Sequence, residues 1–207
     1  MMLYDWWHLT LRQVAETDWV QWLAVALGIA EVLLAKVNNI ALYPAGIAST
    51  ILAVYILLTA GLYAESLLNG YYIVMSIYGW WFWIKKKNEP PVQITRCSRN
   101  DWLTVMGITA GSFVVLALSL ARFTTSTVPA WDAWVSATAW AGMWLLAKRK
   151  IENWILLNVS NICAIPLLFY KKLPLFAGLT VFLFIIGVQG YFSWRKIMNA
   201  GKTVLTT

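Results

Sequence analysis

The sequence predicts an all-α integral membrane protein with seven transmembrane helices in a three-plus-one-plus-three order, the two triplets being parallel repeats of one three-helix unit. Three observations predict it. At 60% apolar, 12% charged and mean hydropathy +0.65, the 207 residues carry too little polar surface for a soluble globule, in which about a quarter of residues are charged. Seven apolar stretches approach the ~20 residues needed to cross ~30 Å of hydrocarbon: about Trp19–Ala35, Ile40–Leu62, Ser66–Ile84, Trp102–Ala121, Pro129–Ala147, Trp154–Tyr170 and Leu173–Trp194. Alternating ten-residue segments, the mark of a membrane barrel, are absent. Finally, one pattern is used twice.

Leu33-Leu34-Ala35-Lys36 and Leu145-Leu146-Ala147-Lys148 each close an apolar run, and each is followed by an Asn, a second run, a break and a third run. The third runs finish as Tyr78-Gly79-Trp80-Trp81-Phe82-Trp83-Ile84-Lys85 and Gln189-Gly190-Tyr191-Phe192-Ser193-Trp194-Arg195-Lys196. Counting back from Gly79 and Gly190 pairs Leu62 with Leu173, Leu68 with Leu179 and Trp83 with Trp194. Matching the Leu-Leu-Ala-Lys strings pairs Glu31 with Met143. A three-helix unit placed directly after another enters the membrane upside down, so one extra crossing, Trp102–Ala121, restores its direction. The chain divides into an interfacial segment (1–18), a first repeat (19–87), a loop and linker helix (88–121), a second repeat (129–196) and a tail (197–207).

Lys and Arg accumulate in short cytoplasmic loops. With the N-terminus outside and the C-terminus cytoplasmic, the inner side holds Lys36, Lys85, Lys86, Lys87, Arg96, Arg99, Lys148, Arg149, Lys150, Arg195, Lys196 and Lys202. Arg12, Arg122, Lys171 and Lys172 remain outside, and the Lys171-Lys172 pair runs against the rule. The net charge of +7 thus reports membrane orientation, and no basic cluster on a soluble face points to nucleic acid.

In chain order, residues 1–18 lack the positive flank and cleavage site of a signal peptide. Leu3, Trp6, Trp7, Leu11 and Val14 suit a short helix lying on the outer leaflet. His8, the only histidine, has no second metal-ligating residue nearby and reads as an interfacial polar group. Glu31 lies inside the first span, where an ionisable residue is costly and functional by default. It also stands five residues before Lys36, with which a snorkelling pair would satisfy both.

In the second segment, Asn39 is followed by Tyr43, Pro44 and Gly46, which permit a bend, and by Ser49 and Thr50, which suit packing or ligand contact. The third segment ends in Trp80, Trp81 and Trp83, most of which suit an interfacial belt. Cys97 in the loop and Cys163 in a span lie at different depths, so no disulfide is expected.

The second half is richer in candidate ligand contacts. Trp140 and Trp144 share one helical face with Met143 beside them, and Trp154, Asn158 and Asn161 share a face of the next helix. An amide-lined, indole-walled pocket suits a flat polar ring solute: rings stack on indole while carboxamides bond hydroxyls or heteroatoms. The competing reading is a packed bundle whose Asn side chains bond each other.

At these residues the chain resembles the PnuC family of vitamin transporters. The similar features are the repeated unit with its linker helix, Asn39 followed by Tyr43-Pro44-Ala45-Gly46-Ile47, Gly61-Leu62-Tyr63-Ala64, Tyr78-Gly79-Trp80, Leu145 to Lys148, and Glu152-Asn153-Trp154 leading to Ile165-Pro166-Leu167. The resemblance covers nearly the whole chain after Asp18. It implies a homotrimer in the cell inner membrane, each protomer with its own pathway, and facilitated uptake of nicotinamide riboside trapped by a cytoplasmic vitamin kinase. Relatives specialised for thiamine, riboflavin or deoxynucleosides are implied as alternatives. The family's Trp-x-x-x-Asn pattern fits Trp154 and Asn158. A second register would use Asn161, with Leu157 where an aromatic is expected. Where the family has a Gln, this chain has Met143, and a lost amide changes which ring substituent is recognised.

The expected site is therefore Trp140, Met143, Trp144, Trp154, Asn158, Asn161 and Gln189, with Glu31, Asn39, Tyr43 and Thr50 from the first half. No nucleophile, base and orienter set is present, so no enzyme, metal or cofactor is expected. Three rivals are a proton- or sodium-coupled carrier titrating at Glu31, a sugar carrier of the SWEET type built on the same repeat, and a lipid-modifying enzyme.

Overall fold

The computed structural model describes residues 2–59, 63–85, 93–124 and 126–204. Gly61, Leu62, Lys86, Lys87 and Pro90-Pro91, and the Leu62–Leu173 pairing with them, lie outside the described residues. Among those described there are eight helices: α1 Met2–Glu16, α2 Trp19–Lys36, α3 Leu42–Thr59, α4 Tyr63–Lys85, α5 Arg99–Phe123, α6 Pro129–Ala147, α7 Asn153–Tyr170 and α8 Pro174–Val204. Five of them, α2, α3, α5, α7 and α8, are long and apolar enough to cross a membrane. Helices α4 and α6, where the two triplets meet, are not among those five.

Local chemistry sets the boundaries. Asp18 accepts from the Trp19 amide at the start of α2. Ser98 and Asp101 form a capping box on α5, and the Asn39 side chain accepts from the Ala41 amide just before α3 at 2.9 Å. Such oxygens satisfy donors a helix start leaves free. Pro44 falls in the first turn of α3, where its missing N–H costs nothing and no bend is needed.

In sequence, α2, α3 and α4 pack on one another, as do α6, α7 and α8. The triplets join where α4 meets α6 and α2 meets α8, and α5 lies against α6. Helix α6 is the most enclosed: Ala133, Ala137, Ala141, Gly142 and Ala147 are buried, small residues that let neighbouring backbones approach.

Residues separated by the Gly79–Gly190 interval make matching contacts. Ser49 Oγ donates to the Ala24 carbonyl at 2.8 Å, and Ser160 Oγ to Val135 at 2.8 Å. Asn38 and Arg149 take left-handed φ of 57° and 54°. The Asn39 amide returns to Leu34, and the Lys150 amide to Leu145, at 2.9 Å each, so each helix ends in a Schellman-type turn. These turns correct the register read from the Leu-Leu-Ala-Lys strings by one residue: the position matching Glu31 is Gly142, not Met143.

Basic residues gather at one end. There, residues 93–98 lie beneath the α6–α7 turn, with Thr95 pairing to Arg149 and Ile151, Lys150 to Asp101 at 3.0 Å and Ile94 inserted into the core. At the opposite end Lys171 meets Asp132 at 2.6 Å, which offsets one of the two charges that ran against the orientation rule. Gln13 of α1 bonds the Lys172 carbonyl at 2.9 Å and the Leu175 amide at 3.3 Å. This docks α1 on the α7–α8 turn with Trp7, Leu11 and Val14 exposed along one face; the Leu3 and Trp6 side chains lie outside those described.

Candidate functional site

At the basic end the halves meet in a buried apolar plug containing Leu42, Tyr43, Trp83, Trp154 and Trp194. Its parts come in matched pairs. Tyr43 stands edge-on to Trp83 at 5.1 Å and 88°, and Trp154 edge-on to Trp194 at 5.8 Å and 89°, the arrangement ring quadrupoles favour. Each pair is seated on a glycine. A Cβ at Gly79 would collide with the Tyr43 ring, and one at Gly190 would lie 2.6 Å from Trp154 Cζ2.

The indoles then cross the seam. Trp83 Nε1 donates to the Ala147 carbonyl at 3.2 Å and Trp194 Nε1 to the Ala35 carbonyl at 2.8 Å, so each half holds the last helical turn of the other. Outside the plug, Lys36 Nζ donates to Gln189 Oε1 at 2.6 Å, joining α2 to α8. Arg149 lies 3.5 Å over the Trp83 ring and Lys148 4.7 Å over Phe82. Burial pushes the Arg149 guanidinium down to about 10, with Tyr43 acting the other way. The belt expectation is thereby divided: Trp80 and Trp81 are exposed, but Trp83 is core.

One helical turn deeper, about 6 Å, the side chains become polar. Glu31 is half-buried, and its carboxylate fills the space left by Gly46, where a Cβ would collide with it. It has no hydrogen bond or ion pair among the described residues, since Lys36 is turned to Gln189 instead. Asn158 stands one turn from Trp154 and lies against Gly187. With the carboxamide oxygen and nitrogen assigned to match their neighbours, the nitrogen donates to the Phe184 carbonyl at 3.3 Å and the oxygen accepts from the Val188 amide at 3.1 Å. Thr50 donates to the Gly46 carbonyl at 2.8 Å, and Asn161 is half-buried.

Of the remaining expected residues, Trp140 stacks on Tyr71 at 4.2 Å and 19°, and the Tyr71 hydroxyl donates to the Trp140 carbonyl at 3.1 Å. Trp144 packs with Val105 and Leu145, and Met143 borders the plug. Asn39 is an exposed cap, whereas Tyr43 and Trp154 are inside the plug. Tyr43 Oη, Trp140 Nε1 and Trp154 Nε1 are buried with no hydrogen-bond partner among the described residues, which is unusual for buried polar atoms. Tyr71 and the crossing indoles were not singled out from sequence. The pairing of Trp83 with Trp194 in the repeat was the available signal, because an interfacial belt does not require the same ring at the same place twice.

An all-helical, multi-pass membrane protein whose halves latch across one end and keep polar side chains behind the latch is built as a transporter. Comparison with known proteins agrees. Residues 18–196 match the nicotinamide mononucleotide transporter family. The nicotinamide riboside transporter PnuC of Escherichia coli (strain K12) and that of Shigella flexneri are each 22% identical over 176 residues, covering 72% of this chain and 74% of theirs. The crystal structure of the vitamin B3 transporter PnuC superposes with a TM-score of 0.70 at 25% identity, over 96% of this chain and 90% of that one. The chain belongs to the nicotinamide mononucleotide transporter family, the PnuC family.

Proposed function

We propose that the protein carries nicotinamide riboside across the cell inner membrane by facilitated diffusion, with phosphorylation by a cytoplasmic vitamin kinase keeping the solute inside. Seven helices, α2 to α8, cross the bilayer in the three-plus-one-plus-three order, with the N-terminus outside, the basic end cytoplasmic and three copies assembled as a homotrimer. Matching contacts along the Gly79–Gly190 interval and the gathering of Lys and Arg at one end support that reading.

The observation that carries the mechanism is the pair of crossing indoles, Trp83 to Ala147 and Trp194 to Ala35. They close the seam at the basic end, and unpartnered polar groups stand at or just behind the closure. In this reading Asn158 and Asn161 bond the ribose or carboxamide, Trp140 on Tyr71 offers a ring face, and Trp154 and Tyr43 form the floor. Release follows when the half-bundles rock and the indoles leave their carbonyls, which alternates access to a mid-membrane site. Binding is modest, because a carrier must let go.

The relatives' printed names support nicotinamide riboside as the solute; Met143 in place of the family's Gln favours testing neighbours too. Purified protein titrated with nicotinamide riboside, thiamine, riboflavin and deoxynucleosides is expected to bind the first most tightly. Saturable binding of another member of the panel, with none of nicotinamide riboside, would reassign the substrate. Failure to bind any of them would end the transport reading.

A further inference from the structure

The Glu31 carboxylate packs in the space left by Gly46 without a polar tie to it. Among the described residues it makes no hydrogen bond or ion pair, and the nearest cation in sequence, Lys36, is held by Gln189 at 2.6 Å. The fold does not need a charge at this depth. In the second half the matching contact is apolar, with Gly142 of α6 packing against Leu157 of α7, where a Cβ would lie 2.9 Å from Leu157 Cδ2. The first half reverses it: the large side chain comes from α2 and the glycine, Gly46, from α3. A leucine on one helix facing a glycine on the other is therefore an adequate filling. Glu31 fills the same space with a group that is costly in hydrocarbon unless a partner compensates it.

Among the described residues no such partner meets Glu31, which leaves its carboxylate open to a charge carried by the solute. Among the described residues, the titratable groups in electrostatic range of Glu31 are the phenols of Tyr43 and Tyr72, and Tyr43 Oη has no hydrogen-bond partner. A carboxylate beside aromatic rings suits a cation whose charge lies on a flat ring. A pyridinium or thiazolium ring is such a cation. Its charge is spread over a flat face that is drawn to aromatic surfaces and to an anion without directional hydrogen bonds.

We propose that Glu31 is the countercharge for a cationic heteroaromatic ring, so that the site takes pyridinium or thiazolium solutes in preference to neutral rings of the same shape. This rests on the transport reading above and narrows its substrate class. The test compares ligands that differ in charge and little else. Wild-type protein and Glu31→Gln are titrated with nicotinamide riboside and with its neutral 1,4-dihydro form; thiamine and riboflavin, which differ in ring and size too, add a second cation and a second neutral ring.

Wild type is expected to favour the cationic member at least about tenfold. Glu31→Gln should lose at least about tenfold for the cation while staying within about twofold for the neutral ligand, and Glu31→Asp should retain part of the preference. Equal affinity of wild type for charged and neutral ligands overturns the proposal, whether or not the variants fold. So does a Glu31→Gln protein that keeps the preference. Binding of none of the four by wild type overturns nicotinamide riboside as the solute, and this proposal with it.

Discussion

Trp194 reaches across the seam to donate its indole N–H to the Ala35 carbonyl at 2.8 Å, and Trp83 makes the reciprocal bond to Ala147 at 3.2 Å. Both rings are buried, so each bond satisfies a donor that water cannot reach. Replacing Trp194 by Phe keeps most of the ring and removes the donor. It should cost about 1 kcal/mol, the usual net scale of one hydrogen bond, whereas Trp194→Ala should cost about 3–5 kcal/mol by leaving a cavity. Thermal melts in detergent read both. Equal effects for Phe and Ala would mean that the bond, rather than packing, carries the interaction.

The glycines beneath the paired rings are spacers. A Cβ at Gly190 would sit 2.6 Å from Trp154, and one at Gly79 would collide with Tyr43, while Gly178 faces nothing within 4 Å. Gly190→Ala and Gly79→Ala should each destabilise by about 1–3 kcal/mol through overpacking. Gly178→Ala, in mid-helix, should be neutral or stabilising by up to about 1 kcal/mol. Melting temperatures that fail to separate Gly178 from the other two would contradict the packing described.

Asn158 is positioned through Gly187. Asn158→Ala should weaken solute binding by about 1–3 kcal/mol. Gly187→Ala, whose new Cβ would collide with the Asn158 carboxamide, should weaken it comparably without removing the amide. Calorimetric titration separates the possibilities: unchanged affinity in both variants would remove Asn158 from the site.

Cys97 should be a sluggish thiol. Burial, then the Glu152 hydrogen bond and charge, push it up to about 12, and its own backbone amide donates to Glu152 at 2.9 Å. The sign is that of an acid whose folded value is raised. The neutral thiol is favoured, and the associated stability is present below the unfolded value near 8.5 and lost as pH climbs through about 12. In a Cys163→Ser background, maleimide labelling at pH 8 should run at least about tenfold slower on folded than on denatured protein, since only the thiolate attacks. Equal rates would refute it.

Much of this architecture was legible in the sequence because hydrocarbon leaves few options: long apolar runs, charges sorted to one end, and a pattern used twice. The register was legible only in part. Two identical Leu-Leu-Ala-Lys strings invite an alignment that is off by one, since helix ends are fixed by backbone geometry at Asn38 and Arg149 rather than by the side chains before them. Local spacing also misjudged partners. Glu31 and Lys36 stand near each other along α2, yet Lys36 is captured by Gln189 of α8, a contact between the halves that no local pattern reveals. For the same reason Trp83 reads as one of several interfacial rings until Ala147 is found at its nitrogen. Helical spacing puts Trp154 and Asn158 on one face, but what each packs against is set by Gly190 and Gly187 of another helix.

The central claim is that the basic end must open for the solute to pass. Lys36→Cys with Gln189→Cys, in a background lacking Cys97 and Cys163, places one thiol on each side of that closure, where the native side chains touch at 2.6 Å. Joined by a short thiol cross-linker in proteoliposomes, the protein should still bind nicotinamide riboside and should lose nearly all uptake, with recovery when a cleavable linker is cut. Uptake at the uncross-linked rate after complete linking would contradict the account.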